Sequence, residues 1–237
     1  MSDAAPTSSN RREPVVGPRS GLEYHHIRTE WADELEALEL ASFPTADPED
    51  LYHARELVWL AGDFPEGCYV GLDEGEVVAA GLGIRVDFDL ANPQHTIHDI
   101  VPEDGSGHVP DGDWYYGTDI AVRPTHRRRG IGAELYDLRK DVCRRLGLRG
   151  IVAGGVIPGY ADHKDDMTAD EYIEAVKAGD LYDPTLTFQL GNGFEAPCAL
   201  NGYIVDPAVN DHAALIVWHN PDHPDNCTRL DDSGAAR

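Results

Sequence analysis

The feature that most constrains this chain is a strand, a loop and a helix that follow one another between residues 114 and 146. Trp114 to Val122 reads as extended, with Tyr116, Thr118, Ile120 and Val122 on one face. Ile131 to Leu146 reads as an amphipathic helix, because Ile131, Leu135, Leu138, Val142 and Leu146 fall on one stripe. Between them lie a loop, Arg123 to Arg129, and then Gly130-Ile131-Gly132. The first turn of a helix leaves backbone N–H groups without partners and carries the positive end of the helix dipole, so it attracts anions. Gly130 and Gly132 remove side chains where a bulky anion has to reach the backbone. The order strand, Arg-x-x-Gly-x-Gly, helix therefore reads as a diphosphate cradle made by Arg127, Arg128, Arg129, Gly130, Ile131, Gly132 and Ala133.

The charge distribution points the same way. The chain has 43 acidic and 19 basic residues, a formal net charge of -24, yet nine of the basic residues fall between 114 and 149. An electropositive stretch in so negative a chain is where an anion can be held. Other glycine loops fit poorly. The chain has no Gly-x-x-x-x-Gly-Lys-Ser/Thr string, and Leu135 stands where a dinucleotide fingerprint needs its third small residue. Net negative charge disfavours nucleic acid as a partner. With only three lysines, Lys140, Lys164 and Lys177, the excess of carboxylates fits a salt-rich, halophilic interior, where screening relieves self-repulsion.

Elsewhere the pattern is one of short alternating elements. Trp31, Leu35 and Leu38 give a helix over 29–42 with Thr29 as its cap, and Asp47-Pro48 starts a second that runs to about Leu60. Cys68–Leu72 and Val77–Val86 form a hairpin across Asp73-Glu74-Gly75-Glu76. Residues 88–113 are an irregular excursion with an extended piece at His95–Ile100; a strand follows the helix at 148–156. A second excursion, 157–183, contains the capping box Thr168-x-x-Glu171, ahead of a helix through about Lys177. A short helix at 185–190 and strands near 199–205 and 213–219 complete a mixed α/β fold, with a partly antiparallel sheet of about six to seven strands flanked by helices. The expected organisation is a disordered lead-in over 1–20, one domain over 21–222 and a flexible tail over 223–237. No apolar run is long enough for a membrane span, and the lead-in has no apolar signal core, so a cytoplasmic protein is expected. The spacing of Cys68, Cys143, Cys198 and Cys227 suggests neither a zinc ribbon nor a disulfide framework. Three loop histidines, His95, His98 and His108, are too little to argue for a metal.

The cradle segment resembles the GNAT superfamily of N-acetyltransferases, whose hallmark Arg/Gln-x-x-Gly-x-Gly/Ala matches Arg127 to Gly132. Asp119-Ile120-Ala121-Val122-Arg123-Pro124 and Asn192-Gly193-Phe194 are also similar to family patterns. Phe64-Pro65-Glu66-Gly67, His95, Tyr116-Gly117, Gly154-Gly155, Pro158-Gly159-Tyr160 and Asp183 to Gln189 resemble the GNAT domain sometimes fused to a carbon–nitrogen hydrolase. The resemblance covers about residues 22–220, and no hydrolase half is expected in this chain. It implies a GNAT-like fold and acyl transfer from acetyl-CoA, or another acyl-CoA, to a primary amine by direct attack. The acceptor is a small-molecule or peptidyl amine, no metal takes part, and a homodimer is an option. It further implies that Ile120, Ala121 and Val122 pair with the pantetheine arm and that Asp119 is a candidate base. Many members place a tyrosine acid where this chain has Gln189, which leaves Tyr160 and Tyr203 as substitutes, with His95 and His98 in the acceptor pocket. The missing acid keeps a second expectation open, a CoA-binding sensor without turnover.

Overall fold

The computed structural model describes residues 13–44, 46–102 and 107–226. In chain order the strands are β1 (Val15–Val16), β2 (Glu23–His26), β3 (Tyr69–Asp73), β4 (Glu76–Val86), β5 (Trp114–Val122), β6 (Gly150–Val156), β7 (Glu195–Leu200) and β8 (Ala213–His219). The helices are α1 (Ala32–Ser42), α2 (Ala54–Asp63), α3 (Ile97–Ile100), α4 (Ile131–Leu146), α5 (Ala169–Ala178) and α6 (Leu186–Gly191). All eight strands form one sheet in the order β1-β2-β3-β4-β5-β6-β8-β7. Every pairing is antiparallel except β5 with β6, and α4 is the crossover that a parallel pair requires. Among the described residues, no helix is long and apolar enough to cross a membrane.

Two features of this sheet position the site. First, β5 and β6 pair only at Tyr115↔Ile151 and Tyr116↔Val152, after which the strands part although β5 runs on to Val122 and β6 to Val156. Second, the β4–β5 register slips between Leu82 and Gly83, so Leu82 faces Asp119 while Gly83 faces Gly117. Thr118 is the extra residue of this bulge, which breaks the even alternation expected over 116–122 and re-aims the side chains around it. Absent side chains at Gly81 and Gly117 make room for α4: a Cβ at either position would meet Leu135 or Arg139. Leu82 is one step out of phase with Gly81, so Leu82 and its partner Asp119 project from the opposite face of the sheet.

Several expectations are corrected. The disordered lead-in to residue 20 contains β1, and Arg19 and Ser20 donate backbone N–H groups to Glu134 at 2.6 and 3.0 Å. Residues 1–12 and 227–237, including Cys227, lie outside the described residues. The strands β1 and β2 raise the total above the expected six or seven. Thr29 caps nothing; it opens a 3-10 turn, and α1 starts at Ala32. The second helix is broken, with a turn at Pro48–Asp50 capped by Asp47, and α2 begins only after Tyr52 and His53. His95–Ile100 is not extended: Thr96 and Asp99 cap α3 reciprocally. The strand placed near 199–205 runs over 195–200.

Candidate active site

The cradle forms where the sequence puts it. Gly130 caps α4 with φ of 83°, and the first helical bond is Glu134 N–H to Gly130 O, which leaves the N–H groups of Ile131, Gly132 and Ala133 without a carbonyl inside the helix. A side chain at Gly130 is excluded twice, by its left-handed backbone and by the Arg19 stem, whose carbons would lie 2.9 and 3.0 Å from a Cβ. The three arginines do different things. Arg127 donates to Val122 O at 3.1 Å and Ser42 O at 2.9 Å, and Arg129 donates to Asp73 at 2.8 Å and Ser20 O at 2.9 Å. These two shape the loop. Arg128, at φ of 64°, is exposed and makes no ion pair with another described residue, so its charge is available to a ligand.

Arg19 joins this site from the chain segment read as a lead-in. The segment is fastened by Glu134, which accepts from Ser20 Oγ at 2.5 Å and Tyr24 Oη at 2.7 Å as well as from the two backbone groups. Burial alone would raise the Glu134 carboxyl, but these hydrogen bonds hold it below the ordinary range.

Ile120, Ala121 and Val122 lie on the part of β5 that β6 has left. Arg123 N–H bonds Val78 O of β4, so alternation along the strand turns the N–H groups of Ile120 and Val122 to the other edge, into the gap. Ala121 is fully buried. On the α4 side of the gap, Gln189 is buried beside Gly155, and its Oε1 has no hydrogen-bond partner among the described residues.

The opposite face holds the titratable groups. The half-buried Asp119 and the buried Glu39 of α1 form a carboxyl pair next to the Arg139 guanidinium, which donates to the backbone carbonyls of Leu82 and Asp119. Glu39 is 1% exposed with both carboxyl oxygens unpartnered, and desolvation followed by repulsion from Asp119 drives it well above the carboxylate range. It therefore favours its protonated form over a wider pH range than an exposed glutamate does. Burial pushes Asp119 up to about 6, against the pull of Arg139 and the Thr118 hydroxyl. That is the environment a general base needs near neutral pH. Tyr52 Oη is buried here too, and neither it nor Thr118 Oγ1 has a well-formed hydrogen bond. A small, half-open cleft lies over these groups, lined by Glu49, Asp50, Tyr52, His98, Thr118 and Asp119 among others.

The structure separates the expected histidines. His95 Nδ1 lies 2.6 Å from Pro93 O, which can only accept, so Nδ1 carries the proton and Nε2 accepts from Tyr116 Oη at 2.7 Å. Desolvation keeps the ring neutral by lowering its pKa. Tyr203 Oη lies 3.0 Å from Tyr116 Oη, so His95, Tyr116 and Tyr203 form one chain, and burial pushes both phenols up. His98 instead contacts Asp50 at 2.9 Å at the cleft mouth, and His108 stacks on Phe64. Among the described residues, no group of three or more His, Cys, Asp or Glu could hold a metal. Tyr160 donates its hydroxyl to Met167 O at 2.9 Å and packs on Tyr172, within the 157–183 excursion.

With this geometry in hand, comparison with known proteins is decisive for the family: the model for "Acetyltransferase (GNAT) family" matches residues 31–160. The chain belongs to the GNAT acetyltransferase family. It is similar to "Probable hydrolase YhcX" of Bacillus subtilis, 38% identical over 194 residues, which are 81% of this chain and 37% of that protein. The chain thus spans about two fifths of that relative. It is also 29% identical to "Uncharacterized N-acetyltransferase YkwB" of Bacillus subtilis, over 79% of this chain and 84% of that one. Among solved structures, "GphF GNAT-like decarboxylase in complex with isobutyryl-CoA" shares the fold, with a TM-score of 0.70 at 24% identity over 83% of this chain and 98% of the other.

Sequence reasoning missed Arg19, Glu39, Asp50, Tyr52 and Tyr116. For Glu39 a signal existed: it stands at the fourth position after Leu35 and the next after Leu38, on the stripe that packs α1 against the sheet.

Proposed function

We propose that this protein transfers an acetyl or other short acyl group from acyl-CoA to a primary amine, small or peptidyl, by direct attack. The observation that carries this reading is the open first turn of α4 adjoining the unpaired edge of β5, with Asp119 on the same strand. When bound, acyl-CoA supplies an acyl group activated as a thioester. Residues 128–133 offer backbone N–H groups and Arg128 a free charge to its diphosphate, with Arg19 alongside. The edge N–H groups of Ile120 and Val122 serve as donors for the pantetheine amides and the carbonyl oxygen. Asp119, ionised above about pH 6, takes the proton from the amine. Glu39, holding its own proton, limits the negative charge that Asp119 faces. Tyr203, kept protonated by burial and joined to Tyr116 and His95, is our candidate acid. Tyr160 is set aside because its hydroxyl is engaged by Met167.

The test is thiol release from acetyl-CoA with a panel of amines, alongside calorimetry of coenzyme A binding. Tight binding with no release across the panel would favour a sensor, which the amide of Gln189 at the usual acid position supports as a second reading. We further infer a cytoplasmic setting of high salt from the acidic composition, and a homodimer from family habit.

A further inference from the structure

The cleft on the Asp119 face is acidic in a way that composition does not explain. Four of its lining residues are carboxylates, Glu49, Asp50, Glu56 and Asp119, and among the described residues no lysine or arginine lines it. An acidic exterior adapted to salt places carboxylates in water. Asp50 is different: its side chain is 6% exposed, Oδ1 is engaged by His98 at 2.9 Å, and Oδ2 is enclosed with no hydrogen-bond partner among the described residues. Tyr52, 7% exposed, lines the same cleft, and its hydroxyl makes no well-formed hydrogen bond among the described residues. Buried acceptors left unpaired are costly, and a ligand rich in N–H donors removes that cost. If Asp119 meets the attacking amine as proposed above, Asp50 and Tyr52 stand elsewhere along the same cleft, open to a second donor group.

We propose that the acceptor carries a second cationic group, as in an α,ω-diamine, whose distal ammonium is bound by Asp50 and Glu49 while the proximal amine attacks beside Asp119. This rests on the acyltransferase reading above and narrows its substrate class. A distal ammonium hydrogen-bonded to an enclosed carboxylate gains a charge-assisted bond that a methyl group cannot make. A carboxylate at the same position would be repelled.

The experiment compares thiol release from acetyl-CoA with 1,4-diaminobutane and its three- and five-carbon homologues, with 1-aminobutane, and with 4-aminobutanoate. The best diamine is expected to exceed 1-aminobutane by about tenfold or more in kcat/KM, with 4-aminobutanoate the poorest. The double variant Glu49→Gln, Asp50→Asn is expected to collapse the ratio of diamine to monoamine towards one, through KM for the diamine. Equal kcat/KM for diamine and monoamine in the unmodified protein overturns the proposal while leaving the acyltransferase reading intact, as does an undiminished ratio in a variant with an unaltered melting temperature. No release with any amine overturns both. If the double variant does not fold, the substrate series on the unmodified protein decides alone.

Discussion

The two sides of β5 offer opposite chemistry. On its free edge and beyond its end, the loop into α4 presents unpaired amides, the free charge of Arg128 and the stem of Arg19. On the face towards α1, the same strand presents Asp119 to a buried glutamic acid and a carboxylate-lined cleft. The first region is electropositive and mostly backbone; the second is electronegative and mostly side chain. In the proposed reading one strand holds an anionic donor and a cationic acceptor; the bulge at Thr118 turns Asp119 to the α1 face while Ile120 and Val122 keep their edge groups free.

The contrast can be broken one side at a time. The largest effect is expected from Asp119→Asn, which should lower kcat/KM by about 10²–10⁴ while calorimetry shows coenzyme A affinity unchanged; loss of both together would merge the two sides. The unmodified protein should gain activity as pH rises through about 6, because the carboxyl works only ionised and burial has raised it to that point. That limb should be missing from the residual activity of the Asn variant. Next, Arg128→Glu should weaken coenzyme A binding by about tenfold, with a steeper loss at low salt and no change in melting temperature. An unaltered affinity would mean that the backbone amides hold the diphosphate unaided. Gly130 is the wrong residue for this test, since its positive φ makes any side chain there strain the fold itself.

Smaller effects concern stability. Glu39 keeps its proton when folded and loses it when unfolded above the ordinary glutamate range, so it subtracts stability as pH climbs. Glu39→Gln should therefore gain in melting temperature relative to the unmodified protein as pH rises above the ordinary glutamate range, and a gap independent of pH would show that burial does not raise the carboxyl. Smallest per added increment, potassium chloride should raise the melting temperature steadily towards molar concentration, because 43 acidic residues repel one another. A flat response would remove the salt-adapted reading and leave the two-sided site untouched.

What the sequence made legible follows from how local the signals are. α4 was read with its bounds, because an apolar stripe lies between Gly130 and the positive-φ Gly147. β5 was equally clear from its aromatic start and its arginine end. The strand β2 was missed because Glu23-Tyr24-His25-His26 has a single apolar residue and gains its place only by pairing with β3. The anionic side was visible as glycine and arginine in one string. The proposed acceptor side was not, because Glu39, Asp50, Tyr52 and Asp119 come from separate elements and are brought together only by the fold. A glutamate on a helix reads as solvated until the sheet is seen covering it.

The fastening of Arg19 and Ser20 to Glu134 carries a practical consequence for anyone handling this protein. A protease cut just upstream of Gly17 loosens the segment that sets Arg19 against Gly130, next to the proposed donor site. Such material can melt at the usual temperature and still misreport affinity for the donor, so an assay series is better built on chains altered at the other terminus.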